Sequence, residues 1–187
     1  MQLYALCDQN SLDDRNTSIE TFVELAKKHK AEFIQYRNKN ATLDEIKKTL
    51  ISLRKLWDGY LIVNDKYELI SLCDGVHMGQ EDLLSIDEDI LVAVEKVREV
   101  IGSDKLLGIS THNAEEIELA NKMNLDYIGL GAFKQTSTKD VTNILGADLD
   151  VLAGQSKHKV AAIGGVKLSD SFKNVTYLVV GSGLYES

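Results

Sequence analysis

A chain of 187 residues is long enough for one substantial core, and its 44% hydrophobic and 27% charged content is ordinary for a globular protein. Its net charge of −8 argues against a nucleic-acid partner, which would want a basic face, and no apolar run approaches the ~20 residues that span a bilayer. Residues 1–8 lack a basic leader, and two cysteines, Cys7 and Cys73, are too few for a disulfide framework and form no metal-ligand spacing, so a cytoplasmic protein with two buried thiols is expected.

Short apolar runs alternate with longer amphipathic ones along the whole chain. Strand-like runs occupy 3–7, 32–36, 60–64, 75–78, 106–109, 127–130, 160–163 and 177–180. Helical spacing fills 19–28, 42–55, 86–101, 114–123 and 145–153. Thr42-Leu43-Asp44-Glu45 has the form of a capping box, and Ser18 and Asn113 are placed to cap two other helices. Alternating strands and helices imply parallel pairing. Eight such strands fit an α/β fold of the (β/α)8 TIM-barrel kind, one domain over 1–187, with its site on the loops after the strands. Periodicity does not report closure, so a doubly wound open sheet stays the competing fold. Two connections are short: 65–74 holds only a turn or two of helix, and the seventh connection, 165–177, is also brief. No eighth helix is expected after the last strand.

The polar residues collect where the apolar runs end. Strand alternation puts Gln35 and Arg37 on one face, with Lys39 following, either around a ligand or as a solvated strand end. Asp65 follows the third run and Asp82 the fourth; if those strands are neighbours, the two carboxylates can converge on one hard cation such as Mg²⁺. Taken singly, Asn64-Asp65 can start a turn and Asp82 can cap a helix. His77 reads as a packed or hydrogen-bonded strand histidine. Ser110 and Thr111 can donate to an oxyanion or cap the next helix, and His112 is too close in sequence to Ser110 to face it.

The loop after the sixth run, 129–139, carries glycines, three hydroxyls and two lysines within eleven residues, which suits an anion as well as it suits solvent. The last two runs end in Gly164-Gly165 and Gly181-Ser182-Gly183. Loops after strands seven and eight recur as a phosphate site in (β/α)8 barrels. Gly-Gly also serves ordinary turns, so the weight for a phosphate there comes from both loops being glycine-rich.

In order along the chain, Gln35-Tyr36-Arg37-Asn38-Lys39, Asn64-Asp65-Lys66, the run from Asp74 through Asp82 (Asp-Gly-Val-His-Met-Gly-Gln-Glu-Asp), Ser110-Thr111-His112, Thr136-Ser137-Thr138-Lys139 and Ile163-Gly164-Gly165-Val166 resemble the thiamine-phosphate synthase family. The resemblance covers nearly the whole chain. It implies a (β/α)8 barrel that couples 4-amino-5-hydroxymethyl-2-methylpyrimidine diphosphate to a thiazole phosphate and releases pyrophosphate. It further implies that Asp65 and Asp82 hold Mg²⁺ and that Arg37, Lys39, Asn64 and Lys139 bind the diphosphate. Gln35 would lie by the pyrimidine and Ser110 by the leaving group, with Thr136, Thr138, Gly165 and Ser182 at the thiazole phosphate.

The chain departs from the family pattern at Lys66, where an arginine is usual, and at Ala132 and Gln135, where prolines are usual. Lys134 stands at an aromatic position, which leaves open an added phosphate contact or an altered ligand. The related thiazole tautomerase branch uses a histidine where this chain has Ala132. A barrel that binds a phosphorylated metabolite without turnover is the remaining alternative. With the seventh connection short and the eighth helix missing, apolar surface by strands one, seven and eight would be left open, and a homodimer is expected to cover it.

Overall fold

Eight parallel strands close in sequence order in the computed structural model, which describes residues 1–135 and 144–186. They are β1 (Gln2–Asp8), β2 (Phe33–Arg37), β3 (Tyr60–Asn64), β4 (Gly75–Met78), β5 (Leu106–Thr111), β6 (Tyr127–Leu130), β7 (Lys159–Ala162) and β8 (Tyr177–Val180). Pairing of β1 with β8, with Gln2 opposite Tyr177 and Ala5 opposite Val180, closes the ring and rules out the open sheet. The helices are α1 (Gln9–Asp14), α2 (Ile19–Lys28), α3 (Leu43–Leu56), α4 (Gln80–Ile86), α5 (Ile90–Ile101), α6 (Ala114–Ala120) and α7 (Asp148–Ala153). No helix of the described residues is long and apolar enough to cross a membrane.

Local chemistry accounts for the element ends. Thr42 and Glu45 form the expected capping box: the Glu45 amide donates to Thr42 Oγ1 at 3.3 Å, and the Thr42 amide donates to Glu45 Oε2 at 2.8 Å. Behind that cap, Ile46, Leu50 and Leu53 share one buried face of α3. Each fully buried aliphatic side chain contributes roughly 1.5–3 kcal/mol of transfer free energy. Ser18 and Asn113 cap α2 and α6 as expected, accepting from Thr21 N at 3.2 Å and Glu116 N at 2.9 Å.

The apolar period over 86–101 does not form one helix. Asp87 accepts from the Asp89 amide at 3.0 Å and Asp89 from the Leu91 amide at 2.9 Å. These side chains satisfy backbone donors locally, so one helix stops at Ile86 and the next starts at Ile90. The short connection after Asp65 is a 3-10 segment, Tyr67–Leu72. Between β7 and β8 the described residues form no helix, and Val166 and Val175 are buried there. After β8 a 3-10 turn, Ser182–Tyr185, buries Leu184 and sets the Tyr185 ring 6.4 Å from Phe22 of α2. Together these segments close part of the surface that the short connections were expected to leave open.

Side chains alternate between two compartments. The outward set packs against the helices and, beside β7 and β8, against connecting segments that bury Val166, Val175 and Leu184. The inward set makes an aromatic plug from Tyr4, Phe33, Ile62, Tyr127, Ala161, Tyr177 and Val179. Glycines make room for its rings: a Cβ on Gly108 would lie 2.2 Å from Tyr127 Cζ, and one on Gly129 would lie 2.9 Å from His77 Cε1. Above this plug, at the C-terminal ends of the strands, the inward positions turn polar.

Candidate active site

Asp65 and Asp82 meet at one ammonium, that of Lys39. Asp65 follows β3 in the left-handed region, at φ 61°, a conformation that aspartate tolerates better than most residues. Its placement is held from β4: the Asp65 amide donates to the His77 carbonyl at 2.9 Å, and the Gly79 amide donates to Asp65 Oδ1 at 2.7 Å. Asn64 Nδ2 and the Lys39 ammonium both bond Asp65 Oδ2. Lys39 also donates to Asp82 Oδ2 at 3.0 Å. Gly79 keeps the approach open, since a Cβ there would come within 3.2 Å of Asp82 Oδ2. Partial burial works to lower the Lys39 pKa, but its hydrogen bonds to both carboxylates outweigh that, and the net shift is upward.

Asp65 and Asp82 are a pair of oxygen donors of the kind a hard cation takes when it finds its other ligands in phosphate and water, and the Lys39 ammonium stands between them. Among the described residues no group of three or more His, Cys, Asp or Glu side chains could hold a metal ion, so no all-protein cage competes with this pair.

Gln35 and Arg37 share the inward face of β2, as alternation requires. Arg37 pairs with Asp8, a buried carboxylate at the end of β1. Asp8 also accepts from the Ser11 amide at 3.1 Å and thereby caps α1. The pairing of Asp8 with Arg37 and the helix α1 were not anticipated, although a carboxylate ending an apolar run is the same signal that singled out Asp65.

Below this charged rim lies a file of hydrogen bonds across the barrel. Gln35 Nε2 donates to Tyr4 Oη at 2.7 Å, and Tyr4 Oη lies 3.0 Å from Tyr127 Oη. Tyr127 Oη is 3.2 Å from His77 Nδ1, and His77 Nε2 is 3.1 Å from Ser110 Oγ. Burial lowers the His77 pKa to about 4, against a weaker opposing pull from Asp65, so the imidazole is neutral near neutral pH. His77 is thus the hydrogen-bonded strand histidine that the sequence suggested, and it is the partner of Ser110.

Ser110 is half-buried, and Gln80 Nε2 holds its carbonyl at 2.6 Å. Thr111, by contrast, is fully buried and donates to the Gly129 carbonyl at 3.0 Å, which takes it out of contention as an oxyanion donor. His112 Nδ1 lies 2.9 Å from Glu116 Oε2 on α6.

Across the barrel, the loop after β6 is strapped to the loop after β7. Phe133 N donates to the Ile163 carbonyl at 2.9 Å and Lys134 N to the Gly164 carbonyl at 2.8 Å. Gly165, at φ +67°, is packed so closely that a Cβ would meet Lys134 Cβ at 2.8 Å. Lys134 itself reaches Asp170 Oδ1 at 3.0 Å, with its ammonium 4.3 Å from the Phe133 ring centre. Ser182 opens the turn after β8, where the neighbouring Gly183 approaches the Val166 carbonyl to within 3.5 Å of a Cβ position. Gly165 and Ser182 therefore stand on adjoining loops. Thr136, Thr138 and Lys139 lie outside the described residues.

A cavity of about 310 Å³ opens at the opposite, N-terminal end of the barrel, between Tyr127, Tyr177, Lys157 and Lys159. Neither carboxylate nor Arg37 lines it, and in this fold that end serves stability while the other carries chemistry.

A family model described as thiamine monophosphate synthase matches residues 3–176. The chain is 37% identical to a thiamine-phosphate synthase of Lawsonia intracellularis, over 88% of this chain and 74% of that protein. It is 32% identical to a thiamine-phosphate synthase of Persephonella marina, over 96% of this chain and 81% of that one. The fold superposes on a thiamine phosphate pyrophosphorylase from Pyrococcus furiosus with a TM-score of 0.77 at 26% identity, covering 97% of this chain and 85% of the other.

Proposed function

The chain belongs to the thiamine monophosphate synthase family, and from that premise we propose that it couples an aminopyrimidine methyl diphosphate to a thiazole phosphate, giving thiamine phosphate and pyrophosphate. The bond between the pyrimidine methylene carbon and the diphosphate oxygen breaks, and its electron pair departs with pyrophosphate. The thiazole nitrogen then donates its lone pair to the methylene cation, closing the new C–N bond. No protein nucleophile takes part, so the protein's task is to stabilise negative charge as it develops on the leaving group.

The observation that carries this reading is that Asp65, just past β3, and Asp82, in the first turn of α4, both meet the Lys39 ammonium at the C-terminal mouth of the barrel. These carboxylates would hold Mg²⁺, whose chemistry here is to neutralise charge on the diphosphate. Arg37, fixed by Asp8, joins Lys39, Asn64 and Lys139 on the same group. Gln35 lies at the pyrimidine, and Ser110 donates to the departing pyrophosphate. Thr136, Thr138, Gly165 and Ser182 take the thiazole phosphate.

Two wider properties complete the proposal. The buried thiols of Cys7 and Cys73, both free, suit a reducing cytoplasm. A homodimer would cover apolar groups left on the surface, among them Val151 on α7, which is 68% exposed. A monodisperse monomer in light scattering at micromolar concentration would contradict the dimer.

The reaction is tested by supplying both substrates with Mg²⁺ and measuring pyrophosphate and thiamine phosphate. Asp65→Asn, which keeps an oxygen for the Gly79 amide, is expected to lower kcat/KM roughly 100-fold or more while circular dichroism stays unchanged. Thiazole isomerisation without coupling would select the tautomerase branch instead. Phosphate-ligand binding with neither reaction would leave a non-catalytic binder.

A further inference from the structure

We propose that the hydrogen-bonded file Gln35–Tyr4–Tyr127–His77 has a fixed direction, and that this direction aims the Ser110 hydroxyl proton into the site. His77 and Tyr127 are then positioning residues acting through Ser110. The consequence for turnover rests on the reading that places Ser110 beside the leaving pyrophosphate.

The direction follows from what each group can donate. The Gln35 amide nitrogen only donates, so Tyr4 Oη accepts from it at 2.7 Å. Among the described residues, the acceptor placed for the Tyr4 proton is Tyr127 Oη at 3.0 Å. Tyr127 passes its own proton on to His77 Nδ1 at 3.2 Å. A neutral imidazole that accepts at Nδ1 carries its proton on Nε2, so Nε2 donates to Ser110 Oγ at 3.1 Å. With Oγ accepting from His77, the Ser110 proton has no return path along the file and must point to an acceptor elsewhere. A bound diphosphate is such an acceptor.

The parts that could relax this arrangement are restrained. The imidazole is stacked on the Tyr127 ring at 5.6 Å and sits in the space left by Gly129, where a Cβ would come within 2.9 Å of it. Gln80 holds the Ser110 backbone through its carbonyl at 2.6 Å. Tyr4 and Tyr127 are fully buried, and burial pushes both phenol pKa values up, so neither hydroxyl ionises in the neutral range. A donor oriented before the reaction starts needs no reorganisation as charge develops on the leaving oxygen.

The direction can be read without turnover. In the ligand-free chain with ¹⁵N-labelled histidine, long-range ¹⁵N–¹H correlation is expected to show His77 as the Nε2–H tautomer, its signal assigned by loss in His77→Gln. An Nδ1–H signal would mean that the file runs the other way and would overturn the inference.

Kinetics supply the second arm. Tyr127→Phe keeps the ring and removes one oxygen. It is expected to lower kcat roughly tenfold, a part of what a lost oxyanion donor costs, with KM changed less than about twofold. In a Ser110→Ala background the same substitution should have no further effect on kcat. An equal loss in both backgrounds would mark a packing effect and sink the positioning role. Failure of the wild-type chain to form thiamine phosphate would overturn the functional reading separately, because the tautomer is measured on the resting protein.

Discussion

Lys39 donates to Asp82 at 3.0 Å while it also bonds Asp65, so one ammonium joins a carboxylate just past β3 to another in the first turn of α4. Without that charge the two anions would face each other across a partly solvated gap, and each would disfavour the other.

Replacing Lys39 by methionine therefore has two expected consequences of opposite sign. Affinity for Mn²⁺ alone, measured by titration calorimetry, should rise severalfold, because a competing positive charge has been removed. At the same time kcat/KM should fall roughly 100-fold, because a cation proposed to bind the diphosphate is lost. Unchanged Mn²⁺ affinity would show that Lys39 does not compete with a metal for this pair.

Asp8 both caps α1 and holds Arg37, and the two roles separate in Asp8→Asn. The amide oxygen preserves the cap, while the charge that fixes the guanidinium disappears. Hydrogen bonds to charged groups are worth about 1.5–3 kcal/mol. KM for the pyrimidine diphosphate is accordingly expected to rise roughly tenfold, with little change in Tm. A lower Tm with unaltered KM would assign Asp8 to the helix alone.

Gly165→Ala tests the strap between the loops after β6 and β7. The position needs φ +67°, and the added methyl would press on Lys134 Cβ at 2.8 Å. Left-handed backbone for an ordinary residue, with such an overlap, costs about 1–3 kcal/mol. Urea unfolding should register that loss, and KM for the thiazole phosphate should rise because the loop proposed to carry its ligands is displaced. A variant as stable as the wild type would show that the strap yields freely.

His77 makes stability depend on pH with a definite sign. Burial holds its folded-state pKa at about 4, below the 6.5 of an ordinary imidazole. Above 6.5 both folded and unfolded chains carry it neutral, and the group is silent. As pH falls through the window from 6.5 to about 4, the unfolded chain takes up a proton that the folded chain refuses. Stability then declines by roughly 3 kcal/mol across the window and levels off below it. His77→Gln should remove that part of the decline in urea unfolding measured at several pH values. Parallel pH profiles for the two proteins would contradict the shift.

Much of this molecule was legible from the chain because much of it is local. β3, β4, β6 and β8 lie where the apolar runs place them, and the capping box at Thr42 and Glu45 forms as its spacing requires. Alternation alone set Gln35 and Arg37 on one face. The same local logic failed over 86–101, where an unbroken apolar period hid two aspartates that bind backbone amides and divide the helix. The partner of Thr111 was hidden for a related reason: its place at a strand end is visible in sequence, but the Gly129 carbonyl that accepts its hydrogen bond is on another strand.

By itself the amino-acid order determined the alternation of strands and helices, the cations and carboxylates at the strand ends, and the likeness to thiamine-phosphate synthases. Only the tertiary structure decided that the sheet closes, that Asp8 holds Arg37, and that Ser110 answers to His77. Closure depends on the register between the first strand and the last. Tyr4 and Tyr127 meet across 123 residues, a contact set by the summed registers of the strands between them, which no window of the sequence contains.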